Sequence, residues 1–265
     1  MTPSTMGWAE PLKKVLRLLP APVFWLGVWQ LSAFLVDWRL KGRGNELLLP
    51  YPVSVLAALG ELAREPSFWG NVGTTLLRVV LGLAAGYCLG AALAALTCRS
   101  RWCDRLLSPA IRVVRAAPVA SFILLVLLWT GRDAVPAVIA ALMVLPVVWD
   151  SLSQGIRATD AQWLELARAY RFSRWKTVRL IYLPGLRPHL SAALTTATGL
   201  AWKSGVAAEV LCLPSTALGT EIYQTKYYLE IPELFAWTGV AVALSLLLEH
   251  LLRRALARWG RRWSL

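Results

Sequence analysis

Apolar residues come in long runs separated by short basic stretches. The runs fall near residues 22–36 (extendable to 38), 72–96, 119–130, 134–149, 190–213 and 234–252, and most approach the roughly 20 residues a helix needs to cross a hydrocarbon core. Arg78 interrupts the second, and the turn Gly131-Arg132-Asp133-Ala134 separates the third from the fourth as a tight helical hairpin. The pattern predicts an all-α polytopic membrane protein with about six transmembrane helices. It forms one domain over 1–265: an anchor helix and external segment in 1–70, core helices in 71–252 and a basic tail in 253–265.

One stretch departs from this pattern. Residues 163–184, WLELARAYRFSRWKTVRLIYLP, form the most hydrophilic long segment and lie in a loop spanning 157–187. Thr159 with Gln162 has the spacing of a capping box, which predicts a short helix starting near Asp160 and running through Tyr170. Ser173 is placed to cap a second helix containing Trp175, Val178 and Ile181, and Pro184 with Gly185 is expected to end it. The pair would present Trp163, Leu166, Ala167 and Tyr170 as an apolar patch ringed by arginines, which requires a protein partner or an anionic lipid surface.

Composition supports the membrane reading. Hydrophobic residues make up 57% and charged residues 16% of the chain, with a mean hydropathy of +0.53, too apolar for a soluble domain of this length. The net charge of +13 does not indicate nucleic acid, because the basic residues sit between apolar runs instead of gathering on one face. Their distribution sets an orientation, since Lys and Arg are retained on the cytoplasmic side. Lys13, Lys14 and Arg17 precede the first run, and Arg99, Arg101, Arg105, Arg112 and Arg115 follow the second. Arg157 through Arg187 fill the central loop, and Arg253 through Arg262 follow the last run. The opposite side holds only Arg39, Lys41, Arg43, Arg64, Arg132 and Lys226. Both termini are therefore expected in the cytoplasm, with the first run retained as an anchor of a multi-pass inner-membrane protein. Trp38, Trp69, Trp129, Trp149, Trp237 and Trp259 sit near run ends, as an interfacial belt would.

The central loop also carries a family resemblance. Glu165-Leu166-Ala167, three residues, Arg171, nine residues, then Ile181-Tyr182-Leu183-Pro184 resembles the EAA loop of membrane subunits of binding-protein-dependent ABC importers. That pattern reads Glu-Ala-Ala, three residues, Gly, nine residues, Ile-x-Leu-Pro. Leu166 stands in place of an Ala and Arg171 in place of the Gly, where a positive φ suits Gly far better than Arg. The likeness extends along the chain. LLLPYPVSVLAALGEL (47–62), NVGTTLLRVVLGLAAGYCLGAALAAL (71–96), RVVRAAPVASFILLVLLW (112–129) and ALTTATGLAWKSGVAAEVL (193–211) follow the segment order of nitrate, sulfonate and taurine type permeases.

The resemblance implies a permease subunit of an importer that moves a small, anionic solute by alternating access. It implies that the loop, through Trp163, Glu165, Leu166, Ala167, Tyr170, Arg171, Ile181, Leu183 and Pro184, docks on a dimer of separate ABC ATPase subunits. The chain lacks a phosphate-binding Gly-x4-Gly-Lys-Ser/Thr motif, so ATP and Mg are expected on that partner and no cofactor or catalysis on this chain. An extracytoplasmic solute-binding protein, a permease homodimer and membrane lipid complete the expected partners.

Arg78, Lys203 and Glu209 are ionisable groups inside predicted spans, where charge is costly and faces a partner or a water-filled path. Counting residues sets Arg78 and Glu209 at similar depth, consistent with an interhelical ion pair. Lys203 lies six residues before Glu209 on a different helix face, and is read either as lining the substrate path or as a snorkelling or structurally paired cation. Cys88, Cys98, Cys103, Cys212, His189 and His250 show no metal-ligand spacing. No catalytic cluster of His, Ser or Asp lies in the spans, against a membrane enzyme. Glu209 alone cannot supply the coupling-ion site of a secondary transporter.

Overall fold

A computed structural model describes residues 20–40 and 45–261. Lys13, Lys14, Arg17, Lys41, Arg43 and Arg262 lie outside the described residues, as does the side chain of Trp259. The described residues form helices α1 (Pro20–Leu40), α2 (Asn45–Leu48), α3 (Pro52–Leu62), α4 (Pro66–Arg99), α5 (Arg101–Ala116) and α6 (Val119–Trp129). These are followed by α7 (Val135–Arg157), α8 (Ala161–Ala169), α9 (Arg174–Thr177), α10 (Leu183–Cys212), α11 (Leu218–Tyr228) and α12 (Ile231–Arg261). The described residues divide into two compact units, those up to Pro66 with Gln224–Gly239 and Ser67–Tyr223 with those from Val240 on.

In the first unit, α1 is apolar around its circumference, so most of its large side chains are exposed. Trp29 is the exception that anchors it. Its Nε1 donates to the Pro50 carbonyl at 3.1 Å, and its ring stacks on Phe235 with centroids 5.8 Å apart. Pro52 opens α3 without loss of a helical hydrogen bond, because the first turn leaves that N–H unpaired anyway.

In the second unit, α4 and α7 approach backbone to backbone. Gly82, Gly86 and Gly90 recur every four residues along one face of α4. A Cβ at Gly86 or Gly90 would stand 2.5 or 2.7 Å from the Ala141 or Leu145 carbonyl oxygen, and Gly82 meets Ala137 and Ala140 in the same way. Small residues in this spacing let helices touch in lipid, where packing and not the hydrophobic effect drives association. Gly205 of α10 gives the same clearance to Val79. Ile123, Val126, Val135, Ile139, Met143, Ala208 and Cys212 join α6, α7 and α10 in a buried cluster.

Among the described residues, α4, α7 and α12 are long and apolar enough to cross a membrane, and α5 with α6 adds a fourth crossing if the bent pair counts as one. The expected third span, 119–130, is a short helix preceded by a sharp break. α6 has eleven residues, about 16 Å at ~1.5 Å per residue, and a break of 110° separates it from α5. Pro118 is the cause: it has no N–H to give and it drives Ala117 into an extended conformation (φ −76°, ψ 143°). The basic stretch between the second and third runs is helix α5. α10 has the length to span, 30 residues, but Arg187, Lys203 and Glu209 lower its apolarity. Trp149 and Trp237, assigned to the belt, are buried; Trp149 donates from Nε1 to Thr97 Oγ1 at 3.0 Å.

Candidate functional site

The segment 158–183 folds as a helical hairpin. Asp160, not Thr159, caps α8: its carboxylate accepts from the Gln162 N–H at 2.9 Å, while the Thr159 hydroxyl turns back to the Gly155 carbonyl. An Asp directly before the helix satisfies the orphan donor at shorter range, which leaves the predicted capping box unused. At the other end Phe172 N–H donates to Ala167 O at 2.8 Å and Arg171 N–H to Arg168 O at 3.0 Å. This is the Schellman pairing, in which the residue after the cap takes a left-handed conformation. Arg171 occupies that position with φ +47°. The turn that the family pattern builds with Gly is thus built here with Arg. Ser173 then caps α9 by accepting from Lys176 N–H at 3.3 Å, as the sequence predicted, and Lys176 Nζ lies 4.4 Å over the Phe172 ring.

Pro184 does not end the second helix. A π-helical turn over Val178–Tyr182, with Leu183 N–H donating to Val178 O, carries α9 directly into α10. Pro184 falls in the first turn of α10, where its missing N–H costs nothing.

The hairpin has two distinct faces. Trp163, Leu166 and Tyr170, spaced three and four apart, point outward, and Tyr170 is 71% exposed. Glu165 is also exposed, as are Trp175, Val178 and Leu183 in the second half of the segment. Ala167 belongs to the other face, contrary to its expected place in the patch. It is 4% exposed and lines a depression of about 500 Å³ with Leu164, Arg168, Arg171, Phe172 and Tyr182. The reason is periodic: Leu164, Ala167 and Arg171 each follow Trp163, Leu166 and Tyr170 by one residue, which turns them about 100° around the helix axis, toward Phe172 and Tyr182. Ile181 and Pro184 share a second cavity, of about 430 Å³, with Trp163.

A second constellation lies where α4 meets the far end of α10. Arg78 donates from Nη1 to the Thr216 carbonyl at 2.6 Å and from Nη2 to Asp133 Oδ1 at 2.8 Å, and its Nη1 is 3.5 Å from Glu209 Oε1. Glu209 is fully buried. Its Oε2 accepts from Thr75 Oγ1 at 2.8 Å and from the Gly219 N–H at 3.1 Å. Gly219 is required there, since a Cβ would fall against Glu209 Cβ and the Val210 backbone. The loop that closes over the carboxylate turns at Leu213, which ends α10 in the left-handed region (φ 51°). Arg78 and Glu209 form the ion pair expected from their depth, and Asp133, Thr75 and Gly219 complete it from positions that the sequence does not mark as partners. The one hint is that Thr75 lies one turn before Arg78 on the same helix face, whereas Asp133 reads only as a turn residue.

Lys203 stands apart from this cluster. It is exposed on α10, and among the described residues no acidic group pairs with it. The exposed positions Ala192, Thr196 and Ala207 share its side of the helix.

Residues 82–262 match the family profile described as "Binding-protein-dependent transport system inner membrane component". The chain belongs to this family. Relatives that match nearly the whole chain are ABC transporter permeases, and the present chain is one of them. It is 31% identical over 261 residues, covering 95% of itself and 96% of the relative, to the putative aliphatic sulfonates transport permease protein SsuC of Escherichia coli (strain K12). It is 27% identical to the bicarbonate transport system permease protein CmpB of Synechococcus elongatus, covering 97% of this chain and 92% of the relative. It is 25% identical to the taurine transport system permease protein TauC of Escherichia coli (strain K12), with 81% of each covered. In architecture it is similar to a chain in the crystal structure of a bacterial ABC transporter involved in the import of the acidic polysaccharide alginate. The TM-score is 0.62 at 15% identity, with 97% of this chain and 98% of that one covered; this likeness concerns the fold.

Proposed function

We propose that this permease subunit forms the translocation path of an ATP-driven importer for a small oxyanion and is driven by a separate ATPase through the hairpin 157–187. The observation that carries the reading is the outward face of Trp163, Leu166 and Tyr170 on a hairpin whose turn, at Arg171, keeps a left-handed backbone at the position of the family's Gly. A rigid cytoplasmic hairpin that leads into α10 through a π turn is a mechanical link: a push on α8 is passed to the helix that carries Lys203 and Glu209. ATP and Mg belong to the partner subunits. Sulfonate, taurine and bicarbonate, the solutes in the relatives' names, all present a compact anionic oxygen group, which suits an unneutralised Lys203 on the path. A soluble binding protein delivers the solute to the face of Arg78 and Asp133, two copies of the chain enclose the path, and both termini face the cytoplasm.

The test is uptake by cells expressing the chain with its cognate ATPase and binding protein, with taurine, an alkanesulfonate, nitrate and bicarbonate offered separately. The reading expects ATP-dependent uptake of one of these anions. Uptake of a cationic or uncharged solute alone would overturn the substrate class. Sidedness has its own check: a cysteine at Ser215 is labelled from outside intact cells and one at Ser173 is not, and the reverse would overturn the orientation.

A further inference from the structure

We propose that α5 is an amphipathic lipid-binding helix that lies on the membrane surface and holds anionic phospholipid. The inner face of α5 is already engaged. Ser108 and Ile111 are buried, and Asp104 and Arg115 form ion pairs with Arg157 and Asp150 of α7 at 3.4 and 2.9 Å. The outer face is apolar and open: Trp102, Leu106, Pro109 and Val113 follow one another at steps of four, three and four residues, and Trp102 is 80% exposed.

Arg101, Arg105 and Arg112 form a row on one flank of that stripe, about 60–100° around the helix, and no acidic partner for them occurs among the described residues. Two features of the surroundings choose lipid over protein. First, α6 is apolar apart from Ser121 and α5 turns 110° away from it, so both cannot run along the membrane normal and the charged limb is left at the surface. Second, a second copy of the chain docking face to face would set one arginine row against another, a like-charge arrangement that interfaces avoid. Acyl chains take the apolar stripe and phosphate oxygens take the guanidinium row, with Trp102 at headgroup level. The inference holds for either side of the membrane and does not depend on the transported solute.

The experiment uses the full chain with a fluorophore on Leu106→Cys or, separately, Val113→Cys, with Cys88, Cys98, Cys103 and Cys212 replaced by Ala. The protein is reconstituted in vesicles of equal phosphatidylglycerol and phosphatidylcholine in which one lipid at a time carries brominated acyl chains. Both labels are expected to be quenched, several-fold more by brominated phosphatidylglycerol. The variant Arg101→Gln/Arg105→Gln/Arg112→Gln should keep the quenching and lose the preference. Quenching by aqueous iodide in place of lipid would overturn the proposal, as would protection from both, which would mark a protein partner. Equal quenching by the two lipids would also overturn it. An unlabelled measurement stands beside these: phosphatidylglycerol should raise the thermal midpoint of the natural sequence above that in phosphatidylcholine, and the triple Gln variant should show no such gain.

Discussion

Removal of the Arg78 guanidinium should destabilise the fold far more than removal of either acid it touches. Arg78 is 14% exposed and its partner Glu209 is 0% exposed, whereas its other partner Asp133 is 64% exposed. Arg78→Met leaves a fully buried carboxylate with two neutral donors, Thr75 and the Gly219 N–H, but no counter-charge. Stranding one half of a buried pair costs about 3–5 kcal/mol, and in a protein of this size each kcal/mol lowers the thermal midpoint by about 2–4 °C, so a fall of roughly 6–20 °C is expected. Glu209→Gln keeps an oxygen for those donors and leaves Arg78 bonded to Asp133 and Thr216; it should cost about 1 kcal/mol, the worth of one hydrogen bond. Asp133→Asn breaks only a solvent-exposed pair, worth about 0–1 kcal/mol. The double variant Arg78→Met/Glu209→Met removes both charges and should recover most of the loss seen in Arg78→Met alone. Intrinsic tryptophan fluorescence during heating of the purified protein reads all four variants. If Arg78→Met melts no lower than Asp133→Asn, or if the double variant melts as low as Arg78→Met or lower, the buried pair is not what organises this end of the bundle.

Arg171→Gly should raise the thermal midpoint: it relieves about 1–2 kcal/mol of left-handed strain against about 0.5–1 kcal/mol of added chain entropy, and an unchanged or lower midpoint contradicts the turn geometry. Gly86→Leu should abolish a monodisperse preparation, because its Cβ meets the Ala141 backbone and Val144. Gly73→Leu, with no atom near its Cβ, should purify normally; equal behaviour of the two would contradict the α4–α7 contact. Lys203→Met should reduce solute uptake in the reconstituted transporter without moving the midpoint, since no acid of this chain depends on it; a lower midpoint with proportionate loss of uptake would reject the path role.

The runs of apolar residues revealed the class of fold, and Ser173 revealed where the second hairpin helix begins, because both signals are local. The break before the third apolar run is not legible because hydropathy averages over a window and cannot see that Pro118 changes the chain direction at a single residue. Ala167 was placed on the wrong face for a related reason. Family spacing names the residues of a motif, whereas packing decides which of them face outward: Ala167 is only about 60–100° around the helix from Tyr170 and Leu166, yet that rotation is enough to bury it against Phe172 and Tyr182. Depth counting set Arg78 and Glu209 level, but the loops that complete their site, at Asp133 and at Leu213–Gly219, are joined only by tertiary structure. Pro184 looked like a terminator because a proline after a polar segment ends most helices; the π turn at Val178–Tyr182 moved it into a first turn, where it is tolerated.

The central claim is that the outward face of the 157–187 hairpin docks on a separate ATPase. Single cysteines at Leu166, Tyr170 and Ala167, treated with a short bifunctional cross-linker in membranes holding the cognate ATPase, test it directly. The account predicts a permease–ATPase product from Leu166→Cys and Tyr170→Cys, and none from the buried Ala167→Cys. A product from a cysteine at Ser215 instead, or no product from any hairpin position while the two proteins still co-purify, would contradict it.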